Sequence, residues 1–281
     1  MNNKLRGILS PKSNFQIDDR LLESLLRSFY GVLLVIDYWY FLPLLKLSST
    51  DGAVWLWPVK VLNYFEPGQQ LIGLKILFLS AVLTHLGCVI SPAERIFKAA
   101  AAVVFFLMMA ALYSFGKIDH FLYGFLFASF TLSFLKPFAK EENQRNHFYF
   151  WATQVFVLGT YTLSGLWKIR YFVEQLFNGW ESFTNPLLVQ ISWDAIQSFS
   201  KTSELALVQH RGLGIALWIC AMIFETFAVA CAWFPRTQRF VGVGIVLLHM
   251  STAYFLNIYY TPAALLAVIL FCSNPYVYKQ R

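Results

Sequence analysis

Long apolar stretches, separated by short polar segments, recur from residue 28 almost to the end of the chain. A helix needs about 20 mostly apolar residues to cross a bilayer, and eight stretches approach that length. We predict spans over residues 28–46, 70–90, 97–115, 119–136, 148–168, 213–234, 240–257 and 258–274. Pro262 divides the last apolar stretch into two short helices. The pattern predicts an all-α, polytopic membrane bundle of about eight transmembrane helices.

The segment before the first span has a different pattern. In IDDRLLESLLRSF, residues 17–29, leucines recur at helical spacing, and Asp18 or Asp19 is placed to cap the helix. We expect an amphipathic helix lying along the cytoplasmic membrane surface. The predicted organisation is therefore a tail over 1–27, a transmembrane domain over 28–274 and a second tail over 275–281.

One connection is much longer than the others, over residues 169–212. It contains LLVQISWDAIQSFSKTSELALVQ, in which apolar residues recur every three or four positions. This spacing favours one or two helices lying over the bundle.

The positions of Lys and Arg predict the orientation. With both termini cytoplasmic, the tails and cytoplasmic loops hold 14 of the 22 Lys and Arg residues. This arrangement satisfies the positive-inside rule and places 169–212 on the exoplasmic side.

Composition supports the membrane assignment. Hydrophobic residues make up 58% of the chain and charged residues only 13%, against roughly 25% in soluble domains. The net charge of +7 is scattered between apolar runs, so we expect the lipid bilayer and not nucleic acid as its partner. The four cysteines form no C-x-x-C pair, so no metal site is expected.

Ionisable residues inside predicted spans are the candidate functional residues, because burying a charge in a bilayer is costly. They are Asp37, His120, Lys168, Glu225 and His249, with His85 a weaker sixth. Three of them, Lys168, His120 and His249, are predicted at one depth near the exoplasmic side. We expect them to line one cavity, with Asp37 or Glu225 as a counter-charge or inner wall.

Each candidate also has a structural interpretation. Lys168, followed by Arg170, is placed to anchor a helix at the membrane surface. His120 suits a loop, and His249 suits a hydrogen bond between helices. The catalytic interpretation uses the fact that desolvation disfavours the ammonium, so a partly buried lysine can serve as a base.

Several motifs resemble a known family. They are SSTDGAVW (48–55), DHFLYGFLFASF (119–130), LSGLWKI (163–169), NGW (178–180), LVQHRGLGIALWICAMIFETFAVACAWFPRTQ (207–238) and GIVLLHMSTAYFLNIYY (244–260). Together they resemble the transmembrane domain of vitamin K-dependent gamma-carboxylases and their relatives, the horizontally transferred transmembrane domain proteins.

The resemblance implies roles for particular residues. It implies that Lys168 is a base toward a quinone-like molecule, that His120 shares the catalytic site, and that His249 and Trp180 support it. The family's large lumenal domain has no counterpart in these 281 residues, and its lysine pair is Trp167-Lys168 here. Gamma-glutamyl carboxylation by this chain alone is therefore not expected.

Two functions remain open. The first is a membrane enzyme, or enzyme subunit, that uses Lys168 and His120 on a lipophilic molecule, with a quinone as the candidate cofactor. The second is a non-catalytic partner of a small membrane or secreted peptide, contacting it through 169–212. Short bacterial relatives that mature a secreted peptide suit this length, which implies the bacterial cytoplasmic membrane. A transporter is less favoured, because no inverted repeat is present.

Overall fold

The computed structural model describes residues 15–47, 55–114, 121–139, 143–178, 211–234, 236–256, 260–273 and 275–278. Within these ranges the α-helices are α1 (Asp19–Ile36), α2 (Leu44–Leu47), α3 (Pro67–Ile90), α4 (Arg95–Tyr113), α5 (Phe121–Leu132), α6 (Asn143–Asn178), α7 (Arg211–Phe227), α8 (Gln238–Leu256) and α9 (Thr261–Ala267). Two short strands accompany them, β1 (Phe15–Ile17) and β2 (Tyr276–Tyr278). The predicted all-α class is confirmed.

Four helices in the described part of the chain are long and apolar enough to cross a membrane. They are Asp19–Lys46, Pro67–Ile90, Arg95–Tyr113 and Ala216–Trp233. Two further apolar helices are shorter, Leu122–Leu132 and Thr261–Cys272. An integral membrane protein is therefore supported, whereas the number of eight spans stays a prediction. The predicted break at Pro262 coincides with the first turn of α9.

Helix α1 begins as predicted but continues further. The Asp18 side chain caps it by accepting hydrogen bonds from the backbone N–H groups of Arg20 and Leu21, at 2.9 and 3.1 Å. One helix runs from Asp19 to Ile36, across the predicted tail boundary at residue 27, and that boundary stays a prediction. Leu22, Leu25 and Leu26 are buried within the protein, so this face of α1 packs against other parts of the chain. The location along the membrane surface stays a prediction.

Helix α3 carries an exposed apolar stripe along its whole length. Its side chains are between 43% and 64% exposed and recur every three or four residues: Ile72, Ile76, Leu79, Leu83, Leu86 and Ile90. A stripe this long would be unfavourable in water and is favourable against lipid chains. We interpret it as the lipid-facing side of α3.

The chain forms two compact units. Met1–Gln154 and Ser273–Arg281 belong to unit 1, and Val155–Cys272 to unit 2. In unit 1, α3 packs on α1 and α4, and α5 packs on α4. In unit 2, α8 packs on α9 and on the π-helical segment Val268–Cys272.

Loop residues close one end of unit 1. The backbone N–H of Trp55 donates to Asn63 Oδ1, and the Asn63 amide donates to the Trp55 carbonyl, both at 2.8 Å. The Trp55 indole N–H donates to Gln70 Oε1, also at 2.8 Å. These bonds fix the loop against the start of α3, and the Trp55 side chain fills the space beneath it.

The two strands join residues from opposite ends of the sequence. β1 and β2 pair antiparallel, with Gln16 opposite Val277. The Asp18 N–H extends the ladder by donating to the Pro275 carbonyl at 3.0 Å. Tyr276 is buried against the rings of His147 and Phe150, and burial raises the pKa of its hydroxyl. The tyrosine therefore stays neutral and packs as an aromatic side chain.

Candidate functional site

Lys168, near the end of α6, forms an ion pair with Glu225 of α7. Its amine lies 2.6 Å from Glu225 Oε1 and 2.5 Å from Oε2. The Lys168 side chain is 29% exposed and that of Glu225 only 7%, so the carboxylate is buried and the amine remains accessible. The pair joins a helix from each side of the long 169–212 connection.

A glycine allows the two helices to approach closely enough for this contact. A Cβ atom at Gly165 would lie 2.4 Å from the Thr226 backbone nitrogen and 2.6 Å from its hydroxyl. Gly165 is one turn before Lys168, and Thr226 follows Glu225 directly. The small residue therefore brings the backbones together and positions the amine over the carboxylate.

Thr162 extends the same contact one turn earlier. Its hydroxyl donates to the Glu225 carbonyl at 3.2 Å and accepts from the Val229 N–H at 3.0 Å. Val229 lies in the 3-10 segment Ala228–Trp233, where the α-helical hydrogen-bond pattern of α7 ends. Thr162, Gly165 and Lys168 are spaced three residues apart on α6, so they lie on one face. Together they hold the end of α7 and the Glu225 side chain in place.

A second polar contact lies two turns before Lys168 on α6. The Tyr161 hydroxyl is 2.8 Å from His249 Nε2 of α8. The imidazole also packs against Tyr260, with ring centroids 5.4 Å apart. Its other nitrogen, Nδ1, is buried and has no hydrogen-bond partner among the described residues. The sequence interpretation missed Tyr161, although its seven-residue spacing from Lys168 is the signal that places both on one helix face.

The direct partner of the Lys168 amine is therefore Glu225 and not the imidazole of His249. Seven residues of helix rise separate the two contacts by roughly 10 Å along the axis. Asp37 belongs to unit 1, where its side chain bonds His85. His120 and Trp180 lie outside the described residues, so the shared cavity stays a prediction.

The Lys168–Glu225 pair is suited to proton transfer. The described residues contain no group of three His, Cys, Asp or Glu side chains that could hold a metal ion. An amine and a carboxylate in direct contact can exchange a proton without a bridging water. The partly exposed amine is the member of the pair that an outside molecule can reach.

No known protein family, curated protein or solved structure matches the chain. The likeness to the carboxylase transmembrane domain thus rests on the short motifs alone.

Proposed function

We propose that this chain is an integral membrane enzyme, or an enzyme subunit, in which Lys168 transfers protons to and from a lipophilic, quinone-like molecule. The observation that carries the proposal is the two-oxygen contact between an accessible amine and a buried carboxylate. Ionisable side chains are costly inside a membrane domain and characteristically mark functional sites there.

The proposed chemistry uses both members of the pair. The Lys168 ammonium passes one proton to Glu225: an N–H bond breaks and an O–H bond forms on the carboxylate. The neutral amine then accepts the proton of a substrate hydroxyl, leaving an oxyanion beside the new ammonium. His249 is the candidate residue for orienting the substrate. It contacts Tyr161, which lies on the same face of α6 as Lys168. His120 and Trp180 remain proposed contributors through the family resemblance.

A second candidate is a non-catalytic partner in the maturation or export of a secreted peptide. The Gly165–Thr226 contact favours it, since an ion pair beside so close a backbone approach also fits a purely structural role. The proposed peptide-binding surface is 169–212, of which residues 179–210 lie outside the described part of the chain.

Substitutions at Lys168 separate the two candidates. Wild-type protein in nanodiscs is expected to accelerate oxygen consumption by a short-chain naphthohydroquinone, because deprotonation precedes its reaction with oxygen. Lys168→Ala and Lys168→Arg should each lower this rate at least about 100-fold, since arginine does not release its proton. Arg170→Ala is the matched control: this neighbouring cation is exposed and paired with Glu174, so its loss should leave the rate unchanged.

Two results would contradict the catalytic proposal. One is a wild-type rate equal to that of empty nanodiscs. The other is full activity in Lys168→Arg. Full activity would show that only the positive charge is needed, as the structural role requires.

We also propose that the chain crosses the bacterial cytoplasmic membrane eight times, with both termini cytoplasmic. The pairing of β1 with β2 supports an even number of crossings, because hydrogen-bonded segments must share one side of the membrane. The excess of Lys and Arg near the predicted cytoplasmic ends supports the orientation.

A cysteine pair tests this topology. Gln16→Cys with Val277→Cys, in a chain whose native cysteines are replaced, should form a disulfide when a membrane-permeant oxidant is added. Directly opposed strand residues have Cβ atoms about 4.5 to 5.5 Å apart, so a small backbone shift brings the two sulfur atoms within bonding distance. Gln16→Cys with Lys60→Cys is the control and should not. Under reducing conditions a membrane-impermeant thiol reagent should spare the thiol of the Val277→Cys substitution in intact cells. Labelling of this thiol from outside the cell would contradict a cytoplasmic location for the termini.

A further inference from the structure

A buried Asp–His pair lies in unit 1. Asp37 Oδ2 is 2.6 Å from His85 Nδ1, and both residues are fully buried. Asp37 opens the π-helical segment Asp37–Phe41 that follows α1, and His85 lies on α3. Single π-helical turns inside longer helices occur frequently at functional sites. Neither the Lys168–Glu225 pair nor its proposed chemistry uses this dyad.

The pair leaves polar atoms without partners. Asp37 Oδ1 and His85 Nε2 are buried and form no hydrogen bond within the described structure. The same is true of the hydroxyl of Tyr30, which lies two turns before Asp37 on α1. The Tyr30 ring is 6.4 Å from the imidazole. Three neighbouring side chains thus each retain one unsatisfied polar atom.

A purely structural role does not account for this set. Unsatisfied polar atoms in an apolar interior cost free energy, and a buried charged pair adds little net stability compared with apolar residues of similar size. Native proteins satisfy such atoms with a bound molecule or an ordered water. The unpartnered atoms therefore point to an occupant.

The surroundings define what could bind. Phe105 of α4 lies edge-on to the imidazole at 6.2 Å, and Phe41 packs against Phe105. The buried titratable side chains on the neighbouring parts of these helices are Cys88 of α3 and Lys98 of α4. Lys98 is committed to the Leu135 carbonyl, to which it donates a hydrogen bond. The rings of Tyr30 and Phe105 thus border the imidazole.

We propose that Asp37, His85 and Tyr30 form a proton-exchange site that binds a hydroxyl-bearing molecule, of which water is the smallest. Asp37 accepts the Nδ1–H hydrogen bond and so fixes the tautomer in which His85 Nε2 carries a lone pair. A bound hydroxyl donates to Nε2, and the Tyr30 hydroxyl supplies a donor beside it.

Proton exchange at this site balances without a further reactant. On transfer, the O–H bond of the bound molecule breaks and an N–H bond forms at Nε2. The resulting imidazolium is stabilised by the Asp37 carboxylate, and the bound oxygen carries the negative charge. The reverse step returns the proton. These residues all belong to unit 1, so the proposal does not depend on the one made for Lys168.

Nitrogen NMR of the histidine side chains tests the site directly. The full chain, labelled with 15N histidine, is measured in synthetic phospholipid nanodiscs, and loss of signals in His85→Asn assigns the ring. We expect a protonated Nδ1 and an unprotonated Nε2 whose signal is shifted upfield by an accepted hydrogen bond. Asp37→Asn should introduce the opposite tautomer, and Tyr30→Phe should move the Nε2 signal.

Ser129→Ala is the matched control for Tyr30→Phe. The Ser129 hydroxyl is also buried without a partner among the described residues, but it lies on α5 and outside the cluster. Its removal should leave both His85 signals in place. Equal shifts in the two variants would mean a general packing response and would overturn the role of Tyr30.

Two samples, one without and one with added phenol, distinguish water from a lipophilic molecule as the source of the bound hydroxyl. In synthetic lipid only water is present, so a hydrogen-bonded Nε2 there identifies water as sufficient. If the shift appears only after phenol is added, the site takes a lipophilic hydroxyl. An Nε2 with a free lone pair in both samples, or an Nε2-protonated tautomer in the wild type, overturns the proposal. The wild-type spectra decide this outcome even if a variant fails to fold.

Discussion

Lys168→Met is expected to lower the free energy of unfolding by about 2 to 3 kcal/mol. The substitution leaves the Glu225 carboxylate buried and unpaired, and breaking a buried ion pair costs about 3 to 5 kcal/mol. We expect a cost at or just below the lower limit of that range because the amine is 29% exposed, so water can partly replace it. Equilibrium unfolding in mixed micelles measures the difference.

The two single substitutions should differ. Glu225→Leu removes the buried charge and leaves an amine that can reach water, so its cost should be smaller than that of Lys168→Met. The double variant Lys168→Met with Glu225→Leu carries no unpaired charge and should recover most of the loss. Equal costs for both single variants, with no recovery in the double variant, would mean that the two side chains do not interact.

Gly165→Ala is expected to destabilise the protein by about 3 kcal/mol. The new methyl group would lie 2.4 Å from the Thr226 nitrogen, which is backbone and cannot rotate away. Helices α6 and α7 must then separate, and overpacking of this kind costs about 1 to 3 kcal/mol or more. The separation also moves Lys168 away from Glu225.

The same helix supplies a control for Gly165. A Cβ atom at Gly159 would have no heavy atom within 4 Å. Gly159→Ala should therefore leave the unfolding free energy unchanged or raise it by up to about 1 kcal/mol, since alanine is the better helix former. A similar loss in both variants would indicate that an added methyl group destabilises α6 in general, and that the α6–α7 contact does not determine the effect.

Local sequence signals predicted the helical architecture well. Asp18 caps α1, and Pro262 lies in the first turn of α9, because capping and proline geometry depend on neighbours in the chain. The helix ends were less predictable. Helix α6 runs from Asn143 to Asn178, well beyond the predicted span 148–168. Hydropathy identifies the apolar residues that can cross a membrane, but not the more polar residues by which the same helix continues at either end.

The sequence did not predict which residues far apart in the chain contact one another. Depth alone made Asp37 and Glu225 equivalent as counter-charges for Lys168, and the choice depends on which helices are neighbours. Gly165 and Thr162 determine that choice, but a glycine and a threonine in an apolar stretch carry no polar signal. The strands β1 and β2 were missed because three residues are too few to show a two-residue period.

The β1–β2 ladder also has a consequence for biogenesis. β1 leaves the ribosome long before β2, so its backbone groups have no strand partner while the intervening helices insert. Closing a contact of such high sequence separation is slow, and it can occur only after the last helix has taken its place. The ladder is thus among the final contacts to form, and protection of its backbone amides from hydrogen exchange marks a fully assembled molecule.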